Sequence, residues 1–200
     1  KGSGTAMNEK VKKMEKLELV EELNNLIANN ETLTVLIRCY IYEESLKSVL
    51  TSISTTEKLE NGLFVVSAIG EVPKLFKKTL RRRLPKVKQN EIYRLARSNV
   101  EFTKRRKSAK KYGHNQDYIA FYPVQGLLFD REETETFIAQ VENTAIPIKF
   151  IITTNDYSTR AEVLYPHVDK VLILDIEGEY GDVYSTVKSN LTSDGKEMPY

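Results

Sequence analysis

The sequence predicts an α/β fold: a doubly wound, mostly parallel, Rossmann-like sheet of five strands with a basic two-helix insert. Three observations support this fold class. Short apolar runs rich in β-branched and aromatic residues alternate with segments of helical periodicity. The runs are largely apolar along their whole length, which is typical of strands that helices cover on both faces. Between the second and third runs lies a strongly basic segment.

The apolar runs predict five strands, at residues 34–42, 62–69, 117–124, 146–153 and 170–176. Apolar residues at helical spacing predict helices at residues 7–30, 43–54 and 131–143, with a shorter one at 158–165. We therefore expect an N-terminal amphipathic helix over residues 7–30, followed by an α/β domain over residues 31–190.

Both ends of the chain are expected to lie outside this domain. Residues 1–6 (KGSGTA) are interpreted as a remnant of cloning, with Met7 as the natural start. Residues 191–200 are polar and are expected to form a disordered tail. The lone Cys39 has no internal disulfide partner, and no apolar run approaches the ~18 residues that cross a bilayer. A cytoplasmic protein without membrane contact is expected.

The basic segment dominates the charge pattern. Residues 74–111 contain 16 basic side chains against only Glu91 and Glu101, a net charge of +14. The whole chain has 30 basic and 28 acidic residues, a net charge of +2, so the remainder carries −12. Pro85 divides the segment into two predicted helices, at residues 73–84 and 90–111, within an insert over residues 73–112.

Such a concentration of positive charge predicts a nucleic-acid-binding insert, because Lys and Arg that neutralise phosphates release condensed counterions. Arg-rich segments follow the backbone more readily than they read bases, so weak sequence specificity is expected. The predicted contact residues are Lys77, Lys78, Arg81, Arg82, Arg83, Lys86, Lys88, Arg94, Arg97, Lys104, Arg105, Arg106, Lys107, Lys110 and Lys111.

Two other interpretations of the basic segment stay open. It is either a solvated helix face, or a surface that docks on an acidic partner protein or on a second copy of this chain. The second interpretation draws on the near-complementary charges of +14 and −12. It predicts a protein–protein scaffold, with a homodimer among its forms.

Residues 151–156 (IITTND) resemble the strand end that carries the sensor asparagine in AAA-type P-loop ATPases. In that superfamily a short helix and a further apolar strand follow, as residues 158–176 would supply. The chain lacks a glycine-rich phosphate loop at residues 40–45, which carry Glu43 and Glu44, and strand three ends in YPVQ without acidic residues. The resemblance implies a degenerate, non-hydrolysing relative, so no cofactor is expected.

A second resemblance concerns the order of three motifs. Residues 40–44 (YIYEE), 67–73 (SAIGEVP) and 121–123 (FYP) follow an N-terminal helix. This order is similar to that in the small BrxB proteins of phage-exclusion systems, although Ala68 replaces the first glycine of the turn. The resemblance implies an accessory role in antiviral defence or in a mobile-element assembly.

The sequence contains no complete set of catalytic residues in a recognisable pattern, and we expect no catalysis. The best candidate for a metal site is Asp175 with Glu177, a D-x-E at a strand end that resembles the first metal-binding motif of DEDD-type exonucleases. It would make the protein a metal-dependent nuclease. The nucleophile and base candidates Cys39, His114 and His167 lie far apart in the sequence, with no spacing that predicts a triad or a zinc site.

Overall fold

Eight strands form one sheet in the computed structural model, which describes residues 9–81 and 84–200. The strands are β1 (Val11–Met14), β2 (Leu33–Arg38), β3 (Asn61–Val66), β4 (Tyr93–Leu95), β5 (Ser98–Lys104), β6 (Tyr118–Phe121), β7 (Ile148–Ile152) and β8 (Lys170–Leu174). Their order is β1-β8-β2-β7-β6-β3-β5-β4, and all but β4 run parallel. The α/β class is confirmed, with eight strands where five were predicted.

Helices cover both faces of the sheet. They are α1 (Lys16–Asn29), α2 (Glu44–Thr55), α3 (Val72–Leu80), α4 (Arg131–Asn143) and α5 (Gly181–Ser193), with 3₁₀ segments at Ile69–Glu71, Gln125–Phe129 and Arg160–His167. The apolar residues of α1, α2, α3 and α5 belong to one core cluster, and those of α4 and the last two 3₁₀ segments to another. The sheet therefore lies between two apolar layers, which is why its central strands are apolar throughout.

The predicted N-terminal helix is wrong in its first part. Residues 11–14 form β1, which pairs in parallel with β8 from Val11 opposite Val171 to Met14 opposite Leu174. Val11 and Met14 are three residues apart, so their spacing also fits a helix. The edge of β8 supplies the hydrogen-bonding partners that favour a strand.

The second helix of the predicted insert is also wrong. Residues 93–104 form a hairpin of β4 and β5 around Ala96 and Arg97, whose φ angles of +48° and +65° give a two-residue turn. Along β5, Ser98, Val100 and Phe102 are buried in strict alternation, which is the period of a strand. The remainder, residues 105–111, contains no helix.

The first insert helix is real but ends at Leu80 instead of residue 84. Arg81 adopts a left-handed conformation (φ +51°), which terminates α3. Arg82 and Arg83 lie outside the described residues, as do residues 1–8 with the interpreted cloning remnant.

The predicted disordered tail is wrong as well. Helix α5 continues to Ser193, and the ring of Tyr200 stacks on Tyr40 with 4.2 Å between ring centroids and 2° between planes. The Tyr200 hydroxyl donates to the carbonyl oxygen of Asp156 at 2.7 Å. The last residue thereby packs over the carboxyl edge of the sheet.

A buried ion pair fixes that edge. The Arg38 guanidinium, with no exposed surface, donates from Nε to Asp156 Oδ2 at 2.8 Å, from Nη1 to Tyr165 at 2.9 Å and from Nη2 to the Ser158 carbonyl at 2.7 Å. Burial lowers the pKa of Arg38, but the hydrogen bond and the charge of Asp156 outweigh it, so the net shift is upward. The end of β2 is thus joined to the segment that follows β7.

Replacing Asp156 should therefore be costly. Asp156→Ala leaves the Arg38 guanidinium buried without its counter-charge, and we expect the free energy of unfolding to fall by about 3–5 kcal/mol in urea denaturation. Glu162→Ala, an exposed carboxylate of the neighbouring 3₁₀ segment, serves as the control and should change it by less than about 0.5 kcal/mol. Equal losses in the two variants would contradict the structural role of the pair.

Glu44 gives the fold a pH dependence. Its carboxylate accepts from Tyr180 at 2.6 Å and from Lys47 at 3.1 Å, and lies 3.3 Å from Lys16 Nζ. Burial raises the pKa of Glu44, but these hydrogen bonds and positive charges outweigh it and lower the pKa overall. A depressed folded-state pKa contributes stability that is complete above the ordinary value of 4.5 and is lost as the pH falls through the folded value.

Glu44→Gln should remove this dependence. We expect the variant to be less stable than the parent at pH 7, but to lose less stability than the parent as the pH falls from about 5 to 3. Urea midpoints measured across that range test it, and parallel curves for the two proteins would refute it.

Candidate nucleic-acid interface

The most basic stretch of the molecule leaves the sheet at the carboxyl end of β5. We call residues 104–111 (KRRKSAKK) the basic loop, since six of its eight side chains are Lys or Arg. The Arg105 N–H donates to the Val66 carbonyl at 2.7 Å, which carries the β3–β5 ladder one step past the strand. The chain then turns toward α4 on the other side of the sheet.

Neutral hydrogen bonds fix the path of the basic loop. Gln140 of α4, 3% exposed, donates from Nε2 to the carbonyl oxygens of Arg106 and Ala109, both at 2.8 Å. The Tyr112 hydroxyl accepts from the Arg106 N–H at 2.9 Å and lies 3.2 Å from its carbonyl oxygen. Because the main chain supplies these contacts, the loop is positioned without using its charged side chains.

Those side chains point largely into solvent. Lys104, Arg106, Lys107, Lys110 and Lys111 are exposed and Arg105 is half-buried. Within residues 9–81 and 84–200, Lys107 is the member of the basic loop that pairs with a carboxylate, its Nζ lying 3.2 Å from Glu133 Oε1. The loop therefore presents positive charge that the fold leaves mostly uncompensated.

Other basic residues flank the start of the basic loop. The Gln89 side-chain oxygen accepts from the Lys104 N–H at 3.0 Å and from Thr103 Oγ1 at 3.2 Å, which holds the coil before β4 beside the end of β5. Lys86 and Lys88 are exposed on this coil.

On α3, Lys77 and Lys78 are exposed, and Lys78 Nζ lies 5.8 Å from the ring centroid of Tyr42.

The remaining predicted contact residues lie elsewhere. Arg94 and Arg97 are at the hairpin, roughly 20 Å from the basic loop along the seven residues of β5. They line a cleft with Glu57 and Glu60 at the C-terminal end of α2, where negative charge is close. Arg81 lines a different groove, between α1, α2 and the end of α3.

The segments behind the two resemblances converge at the carboxyl edge of the sheet, after β2, β3, β6 and β7. Asn155 is exposed in a left-handed conformation (φ +49°), and its side-chain oxygen accepts from Tyr157 at 3.3 Å. Glu43 Oε2 and the Tyr122 hydroxyl are buried without a hydrogen-bond partner among the described residues. Burial raises the pKa of Tyr122.

The metal candidate remains unsupported by geometry. Asp175 Oδ1 accepts from the Glu177 N–H at 3.2 Å, a local turn, and the neighbouring Glu179 pairs with Lys16 at 3.0 Å. Within the described ranges no group of three or more His, Cys, Asp or Glu side chains is placed to hold a metal ion. Cys39 is buried, and burial raises its pKa to about 12, which disfavours the reactive thiolate.

Sequence reasoning missed Gln140 and Tyr112, the two residues that anchor the basic loop. Gln140 follows Arg106 by 34 residues and carries no local signal, whereas the alternation of β5 was readable in Ser98, Val100 and Phe102. The charged residues themselves were found from composition alone.

Removing the Gln140 anchor should loosen the basic loop. In Gln140→Met the part-buried carbonyl oxygens of Arg106 and Ala109 lose the Gln140 donor, and we expect the free energy of unfolding to fall by about 1–2 kcal/mol. Amide hydrogen exchange of residues 106–112 should accelerate at the same time. Gln125→Met, which removes an acceptor for the Thr154 N–H at 3.1 Å, is the matched control and should leave exchange in the basic loop unchanged.

No helix in the described part of the chain is long and apolar enough to span a membrane. Comparisons with protein-family models, with curated proteins and with solved structures found no match.

Proposed function

We propose that this protein binds the phosphate backbone of nucleic acid through the basic loop and acts as a non-catalytic accessory or adaptor. One observation carries the proposal: six basic side chains within eight residues sit on a loop of fixed path, and only Lys107 has a carboxylate partner among the described residues. A surface of this kind lowers its own free energy when an anion neutralises it.

The physical basis is electrostatic. Each phosphate that a Lys or Arg neutralises releases a condensed counterion, so affinity should fall steeply with salt concentration. The five exposed basic side chains of the loop are long and solvated, an arrangement that suits contacts to phosphate oxygens more than fixed bidentate contacts to base edges. Weak sequence preference is part of the proposal.

The positions of the basic residues narrow the interface. Lys86 and Lys88 flank the basic loop and belong to the proposed contact surface. Arg94 and Arg97 face a cleft that contains Glu57 and Glu60, and we propose that they contribute little. The hairpin therefore provides a control surface on the same molecule.

Two double variants of equal charge test the proposal. Lys110→Glu with Lys111→Glu and Arg94→Glu with Arg97→Glu each change the net charge by −4. By fluorescence anisotropy with duplex DNA, single-stranded DNA and RNA, the loop double should lose at least about tenfold in affinity and about two units of salt slope. The hairpin double should lose less than about threefold.

Thermal denaturation of both variants checks that they fold. Equal losses from the two doubles would mean that overall charge, and not the basic loop, drives binding. Absence of binding by the parent protein at 50 mM salt would end the proposal.

A groove favours a second candidate function, that of a protein–protein scaffold. Leu17 is 81% exposed on α1, and with Val20, Leu50, Leu80 and Arg81 it lines a groove of about 630 Å³ between α1, α2 and the end of α3. An acidic partner with an apolar segment, or a second copy of this chain, would suit it. A stable dimer in light scattering, combined with no affinity for polyanions, would favour this candidate over the first.

The proposed cellular context is a phage-defence or mobile-element assembly in the cytoplasm. The expectation of an accessory in phage defence rests on residues 40–44, 67–73 and 121–123 alone. The cytoplasmic expectation rests on the single cysteine, Cys39, which is buried, and on the sequence having no apolar run near the ~18 residues that cross a bilayer.

A further inference from the structure

A small cavity of about 200 Å³ lies behind the basic loop. Its apolar lining comes from Leu127 and Phe137, and its hydroxyl groups come from Ser67, directly after β3, and from Thr136 on α4. Arg105, Arg106 and Lys107 line it from the basic loop. The cavity therefore combines apolar and hydroxyl groups with a strongly basic set of side chains.

The sheet topology explains why a cavity opens at this place. Strands β3 and β5 are parallel neighbours, but the chain leaves them toward opposite faces. After β3, Val72 and Phe76 of α3 join one core cluster, whereas Tyr112 after β5 joins the other. Divergence of neighbouring strands at their carboxyl ends is the condition under which open α/β sheets form binding crevices.

Arg105 is the residue that indicates an anionic ligand. Its side chain is half-buried, yet among the described residues its guanidinium has no hydrogen-bond acceptor and no carboxylate within ion-pairing distance. Burial lowers the pKa of Arg105, in keeping with incomplete compensation of its charge. By contrast, each of the three guanidinium nitrogens of the buried Arg38 donates a hydrogen bond to a protein acceptor. Arg105 is therefore left with donors for a ligand.

Charge and size limit what that ligand is. The lining contains three basic residues and one acidic residue, Glu133, so its net charge is +2. A phosphate monoester carries about −1.5 to −2 at pH 7, which matches it better than the single charge of a phosphodiester. A volume of about 200 Å³ is below the roughly 300–1,000 Å³ of pockets that enclose whole drug-sized ligands, so it suits a phosphate group without its nucleoside.

We propose that this cavity binds the terminal phosphate monoester of a nucleic-acid strand whose backbone runs along the basic loop. The inference rests on the proposed function and adds recognition of a strand end to it. Arg105 supplies the planar fork of donors that suits phosphate oxygens, Ser67 and Thr136 supply hydroxyl donors, and Arg106 and Lys107 add charge. Glu133 forms an ion pair with Lys107, which weakens the repulsion between its carboxylate and a bound phosphate.

The test compares single-stranded oligonucleotides of one sequence that end in a 5′-phosphate, a 3′-phosphate or hydroxyl groups only. The parent protein should bind one of the phosphorylated forms at least about tenfold more tightly than the hydroxyl form. Arg105→Met keeps most of the apolar stem and should abolish this preference. Lys110→Met, a charge loss in the same loop but outside the cavity lining, should weaken binding to every form and keep the ratio.

A second variant protects the test against misfolding of Arg105→Met. Ser67→Ala removes an exposed hydroxyl and should fold normally while reducing the preference severalfold. If the parent binds all three oligonucleotides alike, the inference is overturned while the proposed function stands.

If the parent binds no oligonucleotide at low salt, the proposed function fails and inorganic phosphate becomes the probe. A rise in melting temperature with phosphate, absent in Arg105→Met, would support the cavity as a phosphate site but overturn the strand end as its source. No rise in the parent would overturn the site itself.

Discussion

Repulsion between like charges is the constraint that shapes residues 74–111. Sixteen basic side chains against two acidic ones cannot pack together without a large electrostatic cost. The fold spreads them: α3 and the following coil carry some, the hairpin carries Arg94 and Arg97 to the far end of β5, and the basic loop keeps six. The hairpin group lines a cleft together with Glu57 and Glu60, whereas the loop group is held by Gln140 and Tyr112, which are neutral. Within residues 9–81 and 84–200, Lys107 is the member of the loop group with a carboxylate partner, so most of the positive charge of that group stays uncompensated.

Much of the sheet could be predicted because its signals are local. All five predicted strands coincide with observed ones, namely β2, β3, β6, β7 and β8, and no end differs by more than four residues. Helix α4 matches its predicted bounds at Arg131–Asn143, since Asp130 caps it by accepting from the Glu133 N–H at 2.8 Å. Local periodicity and capping were enough for these elements.

The errors arose where the deciding partner is distant in sequence or where the turn lacks its usual residues. Strand β1 exists because β8, about 160 residues later, offers an unpaired edge. The β4–β5 turn uses Ala96 and Arg97 in left-handed conformations, where glycine or asparagine would have signalled a hairpin. The basic residues of the candidate site could be identified from composition. Their division into separate groups could not, because it depends on tertiary contacts such as that of Gln140 with the basic loop.

The anchoring of the basic loop through its main chain has a consequence for how such a surface evolves. Gln140 donates to the main-chain carbonyl oxygens of Arg106 and Ala109, and Tyr112 accepts from the main-chain N–H of Arg106. Every residue type other than proline provides both of these main-chain groups. Exchanges among Lys, Arg and polar residues at the exposed positions therefore leave the loop's geometry intact. Affinity for the proposed anionic partner would then be adjustable by small substitutions that do not disturb folding, and selection on binding would be separated from selection on the core.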